Sequence, residues 1–195
     1  TEAKDSMLYL ENISLNGPVK IDSVKLGEDG TFDFQENAMD SITPEFYRLR
    51  IANQTINLSI DSTETVTVKA AYPQMSYKYE VEGSENCNTI KELSLKQMLL
   101  QSNINGIVKN PNIGVDSVDV IVARMLNDYK QDIKRNYIFK APMQASSYYA
   151  LFQTIQLGNT NSLIFNPRNN KEDVKVFAAV ATSWDTYYPG AERGK

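Results

Sequence analysis

A chain of 195 residues can bury a core of its own, and 42% apolar with 23% charged residues describes a folded body rather than a disordered one. The formal charge of −4, from 24 acidic against 20 basic residues, supplies no general positive field and excludes nucleic acid as an expected partner. Histidine is absent and cysteine occurs once, which excludes a histidine-dependent nucleophilic relay and an internal disulfide within the chain, and leaves no expectation of a zinc site or other cofactor.

From residue 7 to about residue 81 the pattern is one of short apolar runs separated by turns. The runs 7-MLYLENI-13, 19-VKIDSVKL-26 and 31-TFDFQ-35 read as strands, with a bulge or change of face near Asp22–Ser23 and a tight turn at Asp29-Gly30. In 46-FYRLRI-51 and 55-TINLSI-60 the two-residue period is strong. The segments 64-ETVTVKA-70 and 77-YKYEV-81 bring the set to roughly seven strands.

After Gly83 the period changes. Residues 84 to about 101 read as a helix on Ile90, Leu93, Gln97 and Leu100, interrupted by Asn103, Asn105 and Gly106. A long helix is expected over 116–140, with an acidic entry and a basic exit that complement the helix dipole. Pro142 suits the start of a third helix carrying Tyr148, Leu151, Phe152 and Ile155 and ending near Gly158. Asn170 and Asp173 suit the cap of a fourth, with Val174, Phe177, Ala178, Ala181, Trp184 and Tyr188 on its face. The expected fold is α+β: an antiparallel β-sandwich or partly closed barrel over 1–81, then an approximately four-helix subdomain over 82–195.

No apolar run approaches the 18 or so residues needed to cross a bilayer, and no signal-like segment is present. Without an initiating methionine, and with the polar ending 189-PGAERGK-195, the chain reads as a piece of something longer.

Cys87 draws attention because a thiol in the first turn of a helix can be stabilised as thiolate. It also lies near the apolar stripe of that helix and has no second cysteine as a partner, so a structural role is the favoured reading. Arg48 and Arg50 share one strand face, where they either grip a carboxylate or phosphate or cover the sheet with their stems. Among the aromatics, Tyr47, Tyr149 and Tyr187 are the candidates for an interaction surface. Neither a glycine-rich phosphate loop nor a serine elbow occurs, and no catalytic, cofactor-binding or metal-binding residue is assigned.

The segments 18-PVKIDSVKLGEDGTFDF-34, 45-EFYRLRI-51 and 78-KYEVEGSENCNTIKEL-93 resemble the amino-terminal region of thioredoxin-like thiol–disulfide oxidoreductases of Bacteroidetes, and 163-LIFNPRNNKEDVKVFAAVATSW-184 and 187-YYPGAER-193 are similar to the helical approach to the catalytic domain. The resemblance implies a strand-rich DUF4369-like domain, a helical stretch, and a thioredoxin-fold domain downstream that carries the dithiol. It further implies a periplasmic protein, tethered through a lipidated amino terminus, in which this region is a non-catalytic accessory. Its expected partners are the downstream domain, a client protein or a second copy. The alternatives are direct thiol participation through Cys87, or a small-molecule or glycan-binding module.

Overall fold

Alternating apolar side chains build the first strands of the computed structural model, which describes residues 2–35 and 42–195 and separates into two compact units, Thr1–Lys91 and Glu92–Lys195. In the first unit, β1 (Met7–Ser14), β2 (Gly17–Lys25), β3 (Glu45–Ile51) and β4 (Gln54–Ile60) form an antiparallel sheet in the order β2-β1-β3-β4. The register sets Leu10 opposite Leu49 and Leu49 opposite Ile56, so these side chains line one face. A ladder of β5 (Thr67–Ala70) and β6 (Tyr79–Glu82) contributes Tyr79 and Val81 to the same buried cluster, which gives sandwich-like layering.

Two details of this unit differ from expectation. The bulge falls a residue earlier than Asp22: Leu10 faces Asp22 while Glu11 faces Lys20, which leaves Ile21 as the extra residue. Residues 31–35 form no strand. The Asp29 carboxylate accepts bonds from the Thr31 N–H (3.1 Å) and hydroxyl (3.0 Å), a local alternative to a ladder, and Phe34 packs against the core from an irregular segment.

α1 (Glu85–Val108) runs past the asparagines expected to end it. Ile104 is buried on it and Gln101 donates to Asn105 (3.0 Å), so packing outweighs the weak helix propensity of that stretch until Asn110-Pro111. In the second unit, α2 (Val115–Ile133) continues into a π-turn over Lys134–Ile138, a departure that helical periodicity did not signal.

The expected third helix is shorter than its apolar spacing suggested. α3 (Ala145–Leu151) stops before Phe152, and Ile155 belongs to a hairpin of β7 (Thr154–Leu157) and β8 (Thr160–Leu163) turned by Gly158-Asn159. The side-chain amide of Gln101 pairs with the β7 backbone as a further strand would, donating to Gln156 O (2.9 Å) and accepting from Gln156 N (2.8 Å). Gln97 adds a bond to Thr154 O (2.8 Å).

α4 (Lys171–Tyr187) is capped by Asn170, whose side chain accepts from Glu172 N (2.9 Å). Its buried line is Asp173, Val176, Val180 and Trp184, while Val174 is exposed, so the helix is rotated from the expected face. The rotation follows from Asp173: its carboxylate accepts from Lys130 Nζ (2.6 Å) and Asn166 N (2.8 Å), and the charge enters the interior already partnered. Trp184 packs between Tyr148 (ring centroids 4.9 Å apart, tilted) and Tyr188 (5.0 Å, edge-on) in an aromatic cluster.

Candidate functional site

Cys87 occupies the first turn of α1, where Ser84 caps the helix by accepting the Cys87 N–H (3.1 Å). Its side chain is completely buried. The sulfur accepts from Ser59 N (3.4 Å) and donates to Ser59 O (3.1 Å), so one thiol satisfies both backbone groups that Ser59 turns away from β3. Burial pushes the thiol pKa up, more than the hydrogen bonds from Ser84 and Ser59 pull it down. The net effect disfavours a thiolate, and complete burial keeps a disulfide partner from the sulfur. Cys87 is therefore expected to resist iodoacetamide in the native protein and to react once guanidinium unfolds it, and Cys87→Ala should lose about 2 kcal/mol of stability. Rapid alkylation without unfolding would contradict the buried placement.

The bonds at Ser59 belong to a longer seal. Thr55, four residues earlier in β4, points its N–H to the same outer edge and bonds Ser76 Oγ (2.9 Å). The other border of the sheet is different: among the described residues, β2 pairs with β1 alone, and Val19 (55% exposed) and Ile21 (36%) stand on it in solvent. Among the described residues the sheet thus has one border bonded at Thr55 and Ser59 and one, β2, without a further strand partner.

On the sheet face opposite the core cluster, Glu11 is a buried carboxylate that the one-dimensional pattern did not single out. Arg48 reaches it through Nε and Nη2 (both 2.6 Å to Oε2), and Arg50 through Nε (2.9 Å to Oε1). The Arg50 guanidinium and the Lys20 ammonium also lie over the Tyr9 ring, at 4.6 and 4.9 Å from its centroid. The two arginines do grip a carboxylate, and it is internal: register puts Glu11 directly opposite Arg48.

Burial opposes ionisation of Glu11, but the hydrogen bonds and charges of Arg48 and Arg50 together outweigh it and hold the carboxyl below its ordinary 4.5. A depressed carboxyl stabilises the fold above its unfolded pKa, and that stabilisation is lost as pH falls through the folded value. Glu11→Gln should therefore be less stable than the parent by about 1–2 kcal/mol at pH 7, with the gap closing below about pH 4.5. Urea midpoints measured between pH 7 and 3 test this; a gap independent of pH would rule out the ionic contribution.

The three candidate tyrosines have different surroundings. Tyr47 is half-buried in β3 against the core, Tyr149 shares a hydrogen bond with Ser94 (2.8 Å) from α3, and Tyr187 is exposed near the end of α4. They lie on separate elements, Tyr47 in the first unit and the other two in the second. Among the described residues, no group of three or more acidic, cysteine or histidine side chains is placed to hold a metal ion, and no helix is long and apolar enough to cross a membrane.

Residues 1–90, which cover the sheet, the β5–β6 ladder and the capped start of α1, match the family described as a domain of unknown function, DUF4369. No curated protein and no solved structure matches the chain.

Proposed function

We propose that this chain is a non-catalytic accessory region of an exported, periplasmic thiol–disulfide oxidoreductase, and that its first unit docks an extended segment of a client polypeptide by strand addition at β2. The observation that carries this reading is the contrast, among the described residues, between the two sheet borders: β4 bonded by Ser76 and Cys87, and β2 without a further strand partner and with Val19 and Ile21 in solvent. Pro18, Lys20, Lys25 and the bulge at Ile21 restrict which segment can add, since each discourages indiscriminate extension of a sheet. The oxidoreductase context rests on the resemblance of residues 18–34, 45–51 and 78–93, while the DUF4369 match over residues 1–90 supports the strand-rich domain alone.

Hydrogen exchange with and without reduced client proteins tests the reading. Backbone amides of β2 should become protected in the complex, and a Val19→Lys/Ile21→Lys variant should lose binding while keeping the parent stability. A bound client that leaves β2 exchange unchanged would overturn strand addition.

A further inference from the structure

The second unit carries a shallow hollow, open to solvent, lined by Gln131, Lys134, Arg135, Phe139 and Lys140. It forms where α2 passes into the π-turn, whose Phe139 N–H bonds Lys134 O (2.9 Å). Basic residues at a helix end offset the dipole, but here three cations gather around one concavity and no acidic residue lines it.

Neighbouring charges are already engaged. Lys130 is paired with Asp173, and Asp132 with Lys96, whereas Lys134, Arg135 and Lys140 enter no ion pair among the described residues. Phe139 stands 52% exposed beside them, an apolar surface within a cationic rim.

We propose that this hollow binds an acidic peptide segment of a partner protein, with carboxylates on Lys134, Arg135 and Lys140 and one apolar side chain against Phe139. The three unpaired cations call for an anionic occupant, and Phe139 calls for an apolar group between the charges. A single exposed phenylalanine among the three cations matches one apolar side chain set among carboxylates, whereas insertion into a bilayer calls for a wider apolar face. This site is independent of the β2 edge and stands or falls separately.

The test uses the 195-residue chain and a fluorescein-labelled glutamate-rich octapeptide with one central phenylalanine, followed by anisotropy at low and at physiological salt. Binding should weaken with salt, fall about tenfold or more in the surface variant Arg135→Glu/Lys140→Glu, and fall several-fold in Phe139→Ser or when the peptide phenylalanine is replaced by serine. Val19→Lys/Ile21→Lys should leave it unchanged. The proposal is overturned if the octapeptide does not bind at low salt, if Arg135→Glu/Lys140→Glu binds it as the parent does, or if inorganic phosphate or phosphatidylglycerol vesicles displace it at lower concentration than unlabelled octapeptide.

Discussion

Gly83→Ala is expected to destabilise the first unit by about 3–5 kcal/mol, among the largest effects of any single methyl in this chain. Gly83 follows β6 and precedes the Ser84 cap with φ at +92°, and a Cβ there would lie 2.0 Å from the Thr65 carbonyl oxygen. The strained φ and the clash act together, and the opposing atom is backbone, which cannot swing aside as a side chain would. Gly17 is the internal control: its φ is also positive, at +110°, but a Cβ would meet nothing within 4 Å, so Gly17→Ala should cost only about 1–2 kcal/mol. Cys87 alkylation under increasing urea reports on this unit specifically, because the thiol becomes accessible when the first unit opens. Equal costs at the two glycines would show that the Thr65 carbonyl gives way.

The second large effect is expected at Asp173. Removing its carboxylate leaves Lys130, whose side chain is 15% exposed, without its counter-charge and Asn166 N without its acceptor. Asp173→Ala should cost about 3–5 kcal/mol, because an uncompensated buried charge is dearer than the pair is valuable. Asp173→Asn keeps an oxygen for Asn166 and should cost less, and the double variant Lys130→Met/Asp173→Leu should recover much of the loss. Fluorescence of Trp184, the single tryptophan and a core residue of the second unit, follows unfolding in urea. A double variant no more stable than Asp173→Ala would mean that the Asn166 bond, rather than the buried charge, is what matters.

How far each feature was legible in the chain depends on how local its cause is. The period-two alternation of residues 46–51 and 55–60 and the Gly83-Ser84 step into α1 are short-range signals, and they led directly to β3, β4 and the helix cap. The β7–β8 hairpin was hidden because strands of four residues are too brief to display a period, and Ile155 also fits the helical spacing of Tyr148, Leu151 and Phe152. The face of α4 was misplaced for the same kind of reason: Asp173 reads as part of the helix cap until Lys130, on another helix, is brought to it.

Of the candidate site, the burial of Cys87 was readable from its place near the apolar stripe, but its bond to Ser59 was not. Arg48 and Arg50 offered a grip on a carboxylate or phosphate only as the less favoured of two readings, the other being a cover of stems over the sheet. That the carboxylate is Glu11 required the β1–β3 register, 37 residues away along the chain. The basic hollow was half visible, as the cationic exit of a long helix; the π-turn beside it had no pattern to betray it.

The strand order has a consequence for how the first unit assembles in time. β1 with β2 and β3 with β4 are hairpins closed by short turns, able to form within microseconds, whereas β1 with β3 must bring together segments far apart in the chain. Glu11, clasped by Arg48 and Arg50, straddles that seam. If joining the hairpins is the barrier crossing, Glu11→Gln slows refolding in stopped-flow experiments and leaves the unfolding limb nearly untouched; a change confined to unfolding would place the joining of the two hairpins after the rate-limiting step.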